Sequence, residues 1–119
     1  MLNDLSGAAR VYIACGYTDL RLGIDGLAAI VAGKFRLDPR ENYLFLFCGR
    51  RTDRIKGLYW EGDGFLLLYK RLEAGSFQWP RTRSEAKLLS EREYRWLMEG
   101  LSIVQPKAHQ PLNIDMNLY

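Results

Sequence analysis

The stretch that decides the fold is YLFLFCGRRTDRIKGLYWEGDGFLLLYKRLEAGSFQWP, residues 43–80. It is rich in aromatic and aliphatic side chains and is broken by glycine at regular intervals. That is the pattern of a meander of antiparallel strands joined by short turns. Strands are expected over residues 43–47, 54–60, 65–72 and 76–79, with turns over 48–53, 61–64 and 73–75. Asp63-Gly64 is the best local hairpin signal. Phe65-Leu66-Leu67-Leu68-Tyr69 does not alternate, which predicts a strand covered on both faces at the centre of the sheet.

Upstream, Val11-Tyr12-Ile13-Ala14 is a short β-prone run closed by Cys15-Gly16 and reads as a strand ending in a turn. Ile24, Leu27, Ala28 and Val31 then recur at i, i+3, i+4 and i+7, the stripe of an amphipathic helix, with Gly33 placed to end it and Gly26 weakening it. Asp38-Pro39 leaves the helix, since the residue before a proline disfavours helical backbone. Downstream, Ser90-Glu91-Arg92-Glu93 is a capping box with Leu89 and Tyr94 set to staple it, and Tyr94, Leu97, Met98 and Leu101 continue as a core-facing stripe. Gly100 stands near the end of that helix. The expectation is an α+β fold: a small antiparallel sheet of about four meander strands with two packed helices. Residues 1–101 form a single domain in this reading, and 102–119, with Pro106 and Pro111 and no sustained period, an irregular C-terminal tail.

A chain of 119 residues, 48% hydrophobic, is long enough to bury one core and too short for two. The formal charge is only +3, and it is unevenly spread: residues 40–83 hold nine basic side chains against five acidic ones, while the flanks are nearly balanced. The first residues lack the basic and apolar regions of a secretory signal, and no apolar run approaches the roughly 20 residues a membrane helix needs. A cytoplasmic protein without membrane contact is expected, with Cys15 and Cys48 as buried free thiols.

Catalytic chemistry has little to stand on. His109 is the only histidine and lies in the proline-flanked tail, away from either cysteine, so neither a Cys-His dyad nor a Cys/His zinc site has the usual spacing. Asp19, Asp25, Asp53, Glu61 and Asp63 are the carboxylates that a small metal-dependent nuclease would have to use. Each also has an ordinary place: Asp19 and Asp25 flank the first helix, where Asp19 can cap or begin it, Asp53 suits a turn, and Glu61 and Asp63 belong to the EGDG turn. The glycine-rich turns match no phosphate-binding loop or dinucleotide fingerprint. No catalytic residue, metal site or cofactor is expected.

What remains is a basic and aromatic constellation: Arg50, Arg51, Arg54 and Lys56, then Lys70 and Arg71, then Arg81 and Arg83, interleaved with Trp60 and Trp79 among other aromatics. A meander makes these stretches neighbours. Guanidinium groups are permanent forks that bind phosphate bidentately, and aromatic faces stack unpaired bases. Two readings stand side by side at this point: a surface that grips a nucleic-acid backbone, or a solvated hairpin face with the two tryptophans in the core.

Three segments together carry a family resemblance: CGYTDLRLGIDGLAAIV over residues 15–31, the block over residues 44–80, and EYRWLMEGL over residues 93–101. They contain a CG-x-TD-x-R opening, an arginine-rich turn, a Trp-acid-Gly-x-Gly-Phe turn, a YKRLE-x-G strand end and a Trp-Pro. In these the chain resembles the TnpB-type accessory family of insertion-sequence-66 bacterial transposable elements, the product of the element's second open reading frame. One departure is visible, since Cys48-Gly49 precede the arginines where a bulkier or more basic pair is expected. The resemblance implies a non-catalytic accessory role in DNA transposition. The partners it implies are a separate, larger transposase and another small accessory protein of the same element, together with the element DNA if the basic hairpin touches it. The alternative is an interaction module that binds the transposase without contacting DNA.

Overall fold

The sheet is built around β2 (Tyr43–Cys48), whose side chains after Tyr43 are all buried. The computed structural model describes residues 8, 10–81 and 84–105. β2 pairs antiparallel with β3 (Arg54–Trp60), which pairs antiparallel with β4 (Phe65–Arg71). On its other side β2 pairs parallel with β1 (Arg10–Ala14), and β1 pairs antiparallel with β5 (Ala86–Leu89). The order is β4-β3-β2-β1-β5. The sheet is therefore mixed and five-stranded rather than an antiparallel sheet of about four strands. Its parallel step follows from α1 (Ile24–Ala29), which continues as a π turn (Ile30–Lys34) between β1 and β2; a crossover of this length is what a parallel pair requires.

Strand pleating sorts the core into two faces. Leu44, Leu46 and Cys48 join Val11, Ile13 and Ile55 on one face, beneath Phe77, Trp79, Tyr94, Leu97 and Ile103. Phe45 and Phe47 join Ala14 and Leu58 on the other, beneath Leu27 and Val31. β2 is thus the strand covered on both sides. β4, expected at the centre, is an edge strand. Its unbroken apolar run has a different cause: Phe65 and Leu67 pack under α1 while Leu68 packs on the opposite face, so both faces are half-covered although one flank is open.

Residues 76–79 do not form the expected fourth meander strand. The chain there crosses the core as an extended segment, with Phe77 and Trp79 buried and the Phe77 N–H donating to Thr52 O at 2.7 Å. Two large rings drive this: they bury more surface as plugs than as alternate residues of an exposed edge. β5 takes the ladder position instead, with Ala86 opposite Ala14 and Leu89 opposite Val11. Nothing in Ala86-Lys87-Leu88-Leu89 favours a strand by itself; the open edge of β1 supplies the partner.

α2 (Glu91–Met98) starts as expected. Ser90 Oγ accepts from Glu93 N at 3.0 Å while Ser90 N donates to Glu93 Oε1 at 2.9 Å, completing the capping box. Tyr94 and Leu97 enter the core, and Gly100 closes the helix at φ 82°. α1 starts at Gly23 without a side-chain cap, so Asp19 is not its cap. Gly26 is tolerated because Leu22 lies against its backbone, where a Cβ would meet Leu22 Cδ2 at 2.8 Å. Nor does Gly33 end the helix: the π turn runs to Lys34, and Arg36 takes the left-handed position at φ 58°. A side chain there costs roughly 1–2 kcal/mol. Arg36→Gly relieves that strain against some loss of unfolded-chain restriction, and a gain of up to about 1 kcal/mol is expected in urea unfolding.

Among the described residues no helix is long and apolar enough to cross a membrane. Of the expected tail over residues 102–119, residues 106–119 lie outside the described residues.

Candidate nucleic-acid interface

The parallel pair β1 and β2 ends side by side, and the two loops that leave these carboxyl ends form a cleft of about 620 Å³. One wall is the segment Tyr17-Thr18-Asp19-Leu20-Arg21, and the other is the turn Gly49-Arg50-Arg51 with Arg54 and Tyr69. The crevice outside the carboxyl ends of parallel strands is a recurrent ligand position, because loops converge there without disturbing the sheet.

The backbone of both loops is tied down. Gly16 adopts φ 83°, the left-handed turn that glycine permits without strain, and its N–H donates to Pro80 O at 2.8 Å. Thr18 N donates to Cys48 O at 3.0 Å. Gly49 is packed so closely that an added Cβ would stand 3.3 Å from both Leu20 Cγ and Thr18 O. Small residues at 48 and 49 therefore let the first loop seat on the second, which accounts for the departure from the expected bulkier pair. Cys48 is wholly buried, its Sγ facing Arg51 O and Arg54 O, and burial pushes the thiol's pKa up against the pull of Arg81. Burial likewise raises Cys15, and both thiols are free.

Arg81 is the clasp. Its guanidinium donates to Gly16 O at 2.8 Å and to Gly49 O, bridging the ends of β1 and β2. The same group lies 4.0 Å from the Tyr17 ring centroid, and Arg50 reaches that ring at 5.0 Å. Tyr17 is nonetheless exposed, at 56%. Two carboxylates hold the remaining arginines. Asp19 takes Arg21 in a fork at 3.0 and 2.9 Å, and those hydrogen bonds hold its carboxyl at about 2. Asp53 takes Arg54 at 2.9 and 3.2 Å, with Arg51 3.6 Å away, and its pKa is lowered chiefly by the bond from Arg54. Both carboxylates are anionic at neutral pH, so five arginines face two negative charges and the cleft is net positive.

The expected surface is only partly assembled. Arg50, Arg51 and Arg54 line the cleft together. Arg54 sits opposite Arg71 in the ladder, a like-charge pair that Asp53 tempers by engaging Arg54. Lys56 is occupied structurally, its Nζ donating to Leu22 O at 3.0 Å. Lys70 alternates onto the opposite face from Tyr69 and Arg71, by the pleat. Trp60 is at the far end of β3, edge-on to Phe65 at 4.9 Å with Arg40 above it. Trp79 is a core residue, 6% exposed, its Nε1 donating to Ala14 O at 2.9 Å. Arg83 lies outside the described residues. Sequence reasoning missed Tyr17, Asp19 and Arg21 as cleft residues, although the CG-x-TD-x-R motif that contains them was visible.

No cluster of three potential metal ligands, whether from Asp19, Asp25, Asp53, Glu61 and Asp63 or from other acidic, histidine or cysteine side chains, occurs among the described residues. Residues 9–108 match the family described as IS66 Orf2-like protein. The chain is 34% identical over 102 residues to the uncharacterized protein y4jC of Sinorhizobium fredii, covering 86% of this chain and 87% of that one. It is 36% identical over 98 residues to the uncharacterized protein y4hO of the same organism, covering 82% and 85%. No solved structure matches. A family match across most of the length leads to one conclusion: the chain belongs to the IS66 Orf2-like family, a transposition-associated accessory family.

Proposed function

We propose that this protein is a non-catalytic accessory factor for transposition of an insertion sequence, acting in the cytoplasm beside a separate transposase. In this reading it grips nucleic-acid backbone with the cleft between the β1 and β2 loops. One observation carries it: Arg50, Arg51, Arg54 and Arg21 converge on a single concave surface with net positive charge, on loops fixed by Arg81. Arg21 and Arg51 are openly displayed, with side chains 91% and 73% exposed, so they meet a phosphate without desolvating a core. Such contacts position a protein on DNA without reading sequence. The chain acts as one functional domain, and Lys56, Lys70, Trp60 and Trp79 leave the contact set.

The test is binding of element-end and random DNA at two salt concentrations, for the wild type and for Arg50→Glu with Arg51→Glu. Salt-sensitive binding with little sequence preference is expected in the wild type. The double variant is expected to weaken binding at least about 10-fold and to flatten the salt slope by about 2, one unit per lost phosphate contact. Absence of binding at low salt would leave only the alternative, a module that contacts the transposase and never DNA. Co-purification with the transposase checks that alternative directly.

A further inference from the structure

The large exposed hydrophobic side chains among the described residues are few: Tyr17, Tyr69, Leu88, Leu101 and Val104. The aromatic ones are Tyr17 and Tyr69, 56% and 54% exposed, and both line the arginine cleft. From this pairing we infer that the cleft takes an unpaired DNA strand rather than a duplex. The inference rests on the reading of the cleft as a nucleic-acid site and names the form of nucleic acid.

Shape and chemistry agree on it. Reading or gripping a duplex groove takes a projecting helix or ribbon, whereas here the basic surface is a hollow of about 620 Å³ between two loops. A hollow of that size accepts nucleotides one or two at a time, with bases turned out of a helix. Single-strand sites combine a cationic path for phosphates with aromatic platforms for bases. Tyr17 is built as a platform: the residues on either side of it are fixed by backbone hydrogen bonds to Pro80 and Cys48, and Arg81 backs its ring at 4.0 Å. Arg81 is itself held by Gly16 O and Gly49 O, so the platform does not depend on the ligand. Arg50, 5.0 Å from the same ring, is exposed and can turn to phosphate or cover a stacked base. Tyr69 stands across the cleft on β4, 54% exposed and hydrogen-bonded to Arg54, while Lys56, opposite it in the ladder, is spent on Leu22 O.

The experiment is fluorescence anisotropy on the full chain with a labelled oligothymidylate of about 12 nucleotides, a length within single-strand site sizes. A duplex of equal length and an oligouridylate of equal length complete the set. The expected result is about 10-fold tighter binding to the single strand than to the duplex. Tyr17→Ala and Tyr69→Ala are each expected to weaken single-strand binding roughly 5-fold or more and duplex binding by a clearly smaller factor, and Tyr17→Phe to restore single-strand binding, because stacking needs the ring and not the hydroxyl. Equal uptake of the uridylate supports the unpaired-strand site and shows that it does not distinguish DNA from RNA. Binding of duplex as tightly as single strand, or indifference to both alanine variants, overturns the inference while the proposed accessory DNA contact stands. Failure to bind any of the three overturns both.

Discussion

Trp79→Ala is expected to destabilise the fold by about 3–5 kcal/mol, the cost of deleting a buried large aromatic side chain. The indole is 6% exposed and sits with Val11, Ile13, Leu44 and Leu46 on one face of the sheet. Its Nε1 also satisfies Ala14 O at the end of β1, 2.9 Å away, so truncation leaves both a cavity and a carbonyl without its donor. Trp79→Phe keeps most of the volume and loses the hydrogen bond, and is expected to cost about 1–3 kcal/mol. Thermal unfolding followed by near-ultraviolet circular dichroism measures both, and a chain of this length should lose roughly 4 °C or more for each kcal/mol. A Trp79→Ala variant of wild-type stability that instead lost nucleic-acid binding would contradict the core assignment.

Arg81→Ala is the second large effect, and it reaches fold and cleft together. The guanidinium makes charge-assisted bonds to Gly16 O and Gly49 O and covers the Tyr17 ring. Hydrogen bonds from charged donors contribute about 1.5–3 kcal/mol each where they are shielded, and Arg81 is only half-buried. A loss on the order of 2–3 kcal/mol is therefore expected. Arg81→Lys keeps the charge but not the planar fork, and one ammonium does not span both carbonyls as a fork does. It should recover less than half the stability. The readout that separates clasp from mere charge is nucleic-acid affinity at a temperature where each variant is folded: Arg81→Lys should bind more weakly than wild type although the net charge is unchanged. Equal binding would show that the loops hold their positions without the clasp.

The enzymatic alternative meets a physical obstacle at its best candidates. Asp19 and Asp53 are each occupied by an arginine fork, and both are held well ionised by it. A metal ion would have to displace an arginine from each carboxylate before that carboxylate became a ligand.

Much of the architecture was legible in local patterns. The capping box at Ser90, the strands expected over residues 11–14, 43–47, 54–60 and 65–72, each matched within a residue, and the helical stripe from Ile24 to Val31 all follow from periodicity and turn chemistry. The arginine turn was likewise visible as a displayed cluster. What the sequence left undecided was which strands are neighbours. A run such as Phe65-Leu66-Leu67-Leu68-Tyr69 looks the same whether it is central or an edge half-covered by two layers, because periodicity reports burial and not order. Ser76 to Trp79 read as a strand because its rings are β-prone, and only the presence of a core to plug tells a plug from a strand.

The cleft shows the same division. By itself the sequence determined that Arg50, Arg51 and Arg54 would stand at a turn and that Gly16 would bend the chain before Tyr17. The tertiary structure alone decided that these two turns meet. The crossover through α1 makes β1 and β2 parallel, so their carboxyl ends fall at the same edge, and Arg81, more than 60 residues from Tyr17 along the chain, locks them together. That contact is long-range, and no local propensity encodes it.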